Sequence, residues 1–262
     1  MEVVICPSES AVGEVAAAKI AQVAQAVPGS PVLGVATGSS PLGVYRALAE
    51  LVAAGRLQLG EAHVFALDEY VGLPPGHPES YAEVIRRTVT EPLGLNPARV
   101  HVPNGFADDL STAGAAYEDA ISAAGGVDVQ LLGVGANGHV GFNEPTSSLG
   151  SRTRVKTLAR KTREDNARFF DSLDQVPMHC VTQGLGTIMD ARHVVLVAQG
   201  AGKAEAIAAI VEGPVTALWP GSVLQFHPRA TIVIDEPAAS RLKLADYYRE
   251  TDAAKPDWQR FA

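Results

Sequence analysis

The stretch VDVQLLGVGANGHVGFNEPTSS, residues 127–148, joins an apolar run to a glycine-rich loop that holds one histidine and one glutamate. The run reads as a buried strand over 128–134, and Gly133, Gly135 and Gly138 spell G-x-G-x-x-G. In a dinucleotide fingerprint the last glycine opens a helix, and an acid ends the next strand about 20 residues on. Here the last glycine is followed by HVGFNEP, and Pro145 prevents a long regular helix from starting there. Around position 153 the chain reads SRTRVKT, basic where the fingerprint needs an acid. The dinucleotide reading is rejected. What remains is His139, with Asn137 two residues before it and Glu144 five after, on a loop at a strand end. A lone histidine is more often a structural or surface residue. A nearby carboxylate that can orient the imidazole and favour its charged form nevertheless points to acid/base work. The glycines are expected to let a substrate approach the backbone beside His139.

Outward from this loop, short β-branched runs alternate with longer alanine-rich amphipathic stretches. Further strands are expected at 2–6, 31–36, 62–70, 99–102, 193–200 and 230–237. Helices are expected at 9–27, 41–55, 79–90, 109–124, near 163–171, near 182–190 and at 201–213, with a polar tail after about 238. Pro28–Gly29 ends the first helix, and Pro41 sits in the first turn of the second. Strands separated by helix-length segments imply βαβ units, hence an α/β fold whose mostly parallel sheet is covered on both faces. No Pro/Gly/Ser linker, low-complexity tract or repeat divides the chain, so residues 1–262 read as a single domain.

The 262 residues are 47% hydrophobic and 19% charged, enough to bury a sizeable core. With 29 acids against 21 bases the net charge is −8, and no basic face is visible for a nucleic acid or an anionic membrane. Cys6 and Cys180 lack metal spacing and read as small buried residues in a reducing compartment. The N-terminus MEVVICPSES carries an acid and lacks the basic and apolar regions of a signal peptide. No apolar run approaches the ~18 residues of a membrane span. A soluble, cytoplasmic protein is expected.

Ligands of an open α/β sheet gather at the carboxyl ends of its strands. At one such end, VATGSSP (35–41) sets Gly38, Ser39 and Ser40 before a helix, where free N–H groups, the helix dipole and two hydroxyls suit a phosphate. A serine N-cap is the ordinary alternative, and no Walker lysine is present. QGAGKAEAI (199–207) repeats the design with Lys203, whose charge opposes the dipole unless solvent or an anion offsets it. FALDEYVGLPPGHPESY (65–81) puts Asp68 and Glu69 at the end of an apolar strand, where a partly desolvated carboxylate suits proton removal from carbon. A turn cap at Asp68 and a solvated Glu69 are the plainer reading.

Taken together and in this order, ATGSSPLGVYRAL, LDEYVGLPPGHPESY, GVGANGHVGFNEPTSSLGSRTRVKTL and QGAGKAEAI resemble the glucosamine-6-phosphate deaminase (isomerase) family over residues 31 to 237. The resemblance implies a Rossmann-like three-layer sandwich and conversion of glucosamine 6-phosphate and water to fructose 6-phosphate and ammonia. It implies no organic cofactor and no metal. Asp68 matches the base that moves a proton between carbons 2 and 1. His139, helped by Glu144 and Asn137, matches the group that opens the pyranose ring. Arg168, Lys203 and Gly38, Ser39 and Ser40 match the phosphate and substrate contacts, and 158–177 resembles an active-site lid. Some members are hexamers activated by N-acetylglucosamine 6-phosphate, and their regulatory site matches Ser147, Arg154, Lys156 and Thr157. Arg152 and Lys161 read as a solvated basic loop, and Tyr247 and Tyr248 stand out of register with the family's regulatory tyrosine. Asn137 replaces the aspartate of the best-known allosteric members. Its oxygen can still orient an imidazole N–H, and His139 is then expected to rely on Glu144 alone for its charge.

Three other readings compete. A galactosamine-6-phosphate deaminase would differ by the orientation of one hydroxyl, and a 6-phosphogluconolactonase would need no base at carbon 2. A non-catalytic sugar-phosphate sensor would be expected to lack Asp68 or His139, and both are present.

Overall fold

Runs rich in valine and isoleucine form the strands, and alanine-rich stretches form the helices that return the chain to the next strand. The structure, a computed structural model, describes residues 1–256, 259 and 260. Strand β1 (Glu2–Cys6) leads into helix α1 (Glu9–Ala26), whose first turn is capped by Ser8, its side chain accepting the Ala11 N–H. Then follow β2 (Val32–Val35), α2 (Leu42–Ala53), β3 (His63–Ala66), β4 (Asp68–Tyr70), α3 (Tyr81–Ile85) and β5 (Val100–His101). Helix α4 (Leu110–Ala123) starts from the cap Asp109 and returns to β6 (Val129–Leu132). The second half runs β7 (Arg154–Thr157), α5 (Arg160–Asn166), β8 (His179–Thr182), α6 (Leu185–Met189) and β9 (His193–Ala198). Helix α7 (Ala204–Glu212), β10 (Ala230–Asp235), α8 (Glu236–Ala239) and α9 (Ala245–Ala253) complete it.

Seven strands form one sheet in the order β1-β10-β9-β6-β2-β3-β5, with every neighbouring pair parallel. Side-chain alternation divides its apolar residues between two cores. In β9, Val194 and Leu196 meet Tyr117 and Ile121 of α4 and Ile207 and Ile210 of α7, while Val195 and Val197 join Ala16 and Ile20 of α1 and Leu48 of α2. Helices thus cover both faces of a parallel sheet, the three-layer α/β arrangement expected. The chain leaves β2 toward β3 and β5 on one side, whereas β6 leads to β9 and β10 on the other. Neighbouring strands whose connections diverge open a crevice at their carboxyl ends. The loops after β2 and β6, which carry Gly38–Ser40 and His139, flank it.

Several expected elements are corrected. The strand expected over 62–70 is two strands in different sheets: Leu67 donates its N–H to Val35 O in the main sheet, and its C=O accepts the Gln183 N–H. From Asp68 onward the chain pairs with β8 in a second, three-stranded antiparallel sheet, β4-β8-β7. Strands β7 and β8 were not expected at all. A helix near 182–190 reduces to Leu185–Met189, because Thr182 still belongs to β8. The helix expected over 79–90 is α3 followed by a wider π-type turn over Arg86–Thr90. The tail after 238 contains the whole of α9, and Lys255 beyond it bonds Glu2 of β1 at 2.5 Å. Among the described residues no helix is long and apolar enough to cross a membrane, and no group of three or more His, Cys, Asp or Glu could hold a metal ion.

Candidate active site

The loop after β6 turns back on itself. Gly135 N donates to His139 O and Gly138 N to Gly135 O, both at 2.9 Å. This folds the imidazole over Gly135, where a Cβ would stand 2.2 Å from His139 Cε1. Gly138 has φ +77°, and a Cβ there would meet Trp219 Cε3 at 2.6 Å. These two glycines therefore clear room for His139 and Trp219.

Glu144 is buried at the far end of the same loop. Its Oε2 accepts from Asn137 Nδ2 at 2.8 Å and faces His139 Nδ1 at 3.6 Å, while its Oε1 accepts from the Thr162 hydroxyl of α5. At 3.6 Å the His139–Glu144 contact is longer than a hydrogen bond. Burial pushes the Glu144 carboxyl up, but His139, Thr162 and Asn137 together outweigh it and hold the group at about 2. Asn137 Oδ1 accepts from the His139 backbone N–H at 3.3 Å, so it does not orient the imidazole as the sequence suggested. Thr146, two residues beyond Glu144, takes φ 75°, a strained value for a β-branched residue, and is held by its N–H bond to Ala217 O at 2.7 Å.

Asp68 opens β4, opposite Thr182 of β8. It is buried, and burial first, then the neighbouring Glu69 carboxylate, push it up to about 8 against the opposing hydrogen bond of Thr182. Gly141 of the histidine loop lies against it: a Cβ at 141 would be 3.5 Å from Asp68 Oδ2 and 3.1 Å from Thr182 Oγ1. Thr182 Oγ1 also accepts the Phe142 N–H at 3.1 Å, so one threonine ties the histidine loop to the strand of Asp68. Glu69 has a different task. Its carboxylate accepts the backbone N–H groups of Tyr70, Tyr81 and Ala82 at 2.7–2.9 Å and fixes the start of α3. It is buried, not solvated. Thr162 and Thr182 carry no signal in the sequence: Thr182 lies on β8, a strand its composition does not mark, and Thr162 sits among the charged residues of α5.

The two strand-end loops expected to bind an anion meet in the fold. Gln199 Nε2 donates to Ser40 O at 3.3 Å, bringing the loop of Lys203 to that of Gly38, Ser39 and Ser40. Pro41 takes the N-cap position of α2 and neither serine side chain caps the helix, so the ordinary N-cap role is not theirs. Lys203 ends a 3-10 turn ahead of α7 and is half-buried. Burial lowers its ammonium, Asp165 opposes this, and Arg168 adds to it. Two cations sharing one field form a place an anion would stabilise.

The tentative second cluster is only partly assembled. Arg154 and Lys156 share one face of β7, whereas strand alternation puts Thr157 on the other, exposed face. Ser147 is buried and its Oγ lacks a hydrogen-bond partner among the described residues. Arg152 is not a free basic residue: it pairs with Asp190 at 2.6 Å and with Glu118. Lys161 is solvated beside Asp165, as expected.

Residues 7–233 match the family model of glucosamine-6-phosphate isomerases/6-phosphogluconolactonase. The chain is 62% identical over 257 residues to the glucosamine-6-phosphate deaminase of Cutibacterium acnes, covering 98% of each chain. It is 58% identical over 260 residues to that of Streptomyces coelicolor, covering 99% of each. Among solved structures, a monomeric glucosamine-6-phosphate deaminase superposes with a TM-score of 0.89 at 39% identity, covering 92% of this chain and 100% of that one. A 6-phosphogluconolactonase from Trypanosoma cruzi, at 21% identity and a TM-score of 0.73 over 92% of this chain and 97% of that one, shares the fold. With identity this high along nearly its whole length, the chain belongs to the glucosamine-6-phosphate deaminase family.

Proposed function

We propose that this chain is a hydrolase that converts glucosamine 6-phosphate and water to fructose 6-phosphate and ammonia. The observation that carries the reading is Asp68, a buried carboxyl held near neutrality beside the loop of the His139–Glu144 pair. A general base works best when its pKa lies near the working pH. His139 accepts the proton of the C1 hydroxyl and returns one to the ring oxygen, opening the pyranose to its aldehyde. Asp68 then takes the proton from C2, and the electron pair left behind forms a C1–C2 double bond as the aldehyde oxygen is protonated. The same carboxyl delivers its proton to C1, which leaves an imine at C2. Water adds to that carbon and ammonia departs, giving the ketose. The ammonium of the bound amino sugar favours the ionised form of Asp68. Lys203, Arg168 and the 38–40 loop hold the phosphate, whose binding energy positions the reacting carbons.

A lactonase has no use for a base at C2, and a sensor has no use for a carboxyl buried at such cost. Galactosamine 6-phosphate is the closest alternative substrate, and comparison of the two epimers tests the choice. Ser147, Arg154 and Lys156, without Thr157, form the proposed site for N-acetylglucosamine 6-phosphate in a homo-oligomer, a hexamer by the family resemblance. Sedimentation with and without that sugar phosphate tests this, and a monomer at both conditions ends it. Two free buried cysteines fit a reducing cytoplasm. Ammonia and fructose 6-phosphate formed together from glucosamine 6-phosphate test the central activity.

A further inference from the structure

Thr162 is buried on the helix that opens the lid, and a buried hydroxyl needs a partner. Its partner is Glu144 Oε1. Of the charged residues of α5, Arg160 bonds Glu164 at 2.8 Å and Lys161 bonds Asp165 at 2.6 Å along the helix, while Arg163 donates to the Leu173 and Val176 carbonyls. On the inner face, four residues from Thr162, Asn166 donates to the Tyr70 hydroxyl at 3.0 Å. The two oxygens of Glu144 thus have separate sources of support. Asn137 and His139 hold Oε2 from within the loop, and among the described residues the α5 hydroxyl is the donor to Oε1.

We infer that Thr162 is a positioning residue through which seating of the lid helix completes the His139–Glu144 pair. The inference rests on the deaminase reading for its chemical meaning. Arg168 follows Thr162 by six residues and reaches the field of Lys203. Thr162 and Arg168 thus belong to one segment that meets both the Glu144 carboxylate and the field of Lys203. The titratable groups that face Glu144 are His139 from its own loop and Cys180 from β8, and α5 contributes only the neutral hydroxyl.

The test compares Thr162→Val, which keeps the shape, with Thr162→Ser, which keeps the hydroxyl. Thr162→Val should lower kcat roughly 10- to 100-fold, the worth of a hydrogen bond to a charged group. KM should change less than about threefold, because the side chain does not touch substrate. The acidic limb of the kcat profile should move to higher pH, and Thr162→Ser should restore both. An unchanged kcat and acidic limb in Thr162→Val, or a serine variant as poor as the valine one, overturns the inference. Hydrogen exchange of residues 160–166 in the ligand-free protein gives a readout without turnover. Thr162→Val and Glu144→Gln should both speed exchange there, and Thr162→Ser should not; exchange equal to wild type in both would overturn it. If the wild type releases no ammonia, the deaminase reading fails, and the exchange measurement still decides the Thr162–Glu144 link.

Discussion

Asn137 Nδ2 lies 2.8 Å from Glu144 Oε2, so this asparagine acts on the carboxylate and not on the imidazole of His139. An ionised carboxylate only accepts hydrogen bonds, which fixes the amide with its nitrogen toward Glu144 and its oxygen toward the His139 backbone N–H. The asparagine thereby helps to keep Glu144 charged, and the Glu144 charge in turn favours the imidazolium that ring opening generates.

Asn137→Asp removes that donor and sets a second carboxylate against Glu144. Two adjacent carboxylates share a proton and titrate as a pair. Both changes raise the Glu144 carboxyl from about 2, so loss of activity on acidification should begin at higher pH. A pH series of kcat for the two proteins checks this; superimposable acidic limbs would contradict it.

Asp68→Asn should abolish turnover and stabilise the fold. In the wild type the folded-state carboxyl is raised from 3.8 to about 8, so stability falls as pH rises between those values, where the unfolded chain ionises and the folded one does not. The neutral amide escapes that loss. A gain on the order of a few kcal/mol, visible as a higher Tm, is expected near pH 8 and should vanish near pH 4. Activity should fall by about 10²-fold or more. Equal melting temperatures at pH 8 would show that burial of Asp68 is not costly.

Gly135→Ala tests the packing of the histidine. Its Cβ would stand 2.2 Å from His139 Cε1, so the ring must leave its place. The main chain at 135 needs no positive φ, and the fold should survive. A kcat lowered at least tenfold or so, with the melting temperature changed by only a few degrees, is expected. Full activity would show that the ring has another productive position.

Much of this was legible in the sequence because the signals are local. The βαβ alternation, the caps of the long helices and the carboxyl-end loops each follow from a few consecutive residues, and α1, α2 and α4 lie within two residues of their expected bounds. The second sheet was not legible. Strand β7, RVKT, is a four-residue edge strand whose alternation resembles a basic loop, and its partner β8 is separated from it by residues 158–178. FALDEY reads as one continuous strand, since nothing in its composition marks Leu67 as the point where hydrogen bonding passes from one sheet to the other. The site was legible in its charged residues, Asp68, His139, Glu144 and Lys203, and illegible in Thr162 and Thr182. Threonine hydroxyls acquire their meaning only from what the fold sets beside them.

Lys203→Gln should weaken phosphate binding without disturbing proton transfer. Lys203 and Arg168 repel one another in the free protein, and an anion relieves that repulsion. KM for glucosamine 6-phosphate should rise roughly 10- to 100-fold with a smaller change in kcat. Wild-type protein should melt higher with fructose 6-phosphate than with fructose, and the variant should lose most of that difference. An unaltered KM would remove Lys203 from the phosphate site.

The most direct measurement follows ammonia and fructose 6-phosphate together as glucosamine 6-phosphate is consumed, with Asp68→Asn as the control. Equal amounts of the two products from the wild type, and neither from the variant, are expected. Binding of the sugar phosphate without release of ammonia, or undiminished turnover by Asp68→Asn, would contradict the assignment of Asp68 as the base of an aminosugar-phosphate deaminase.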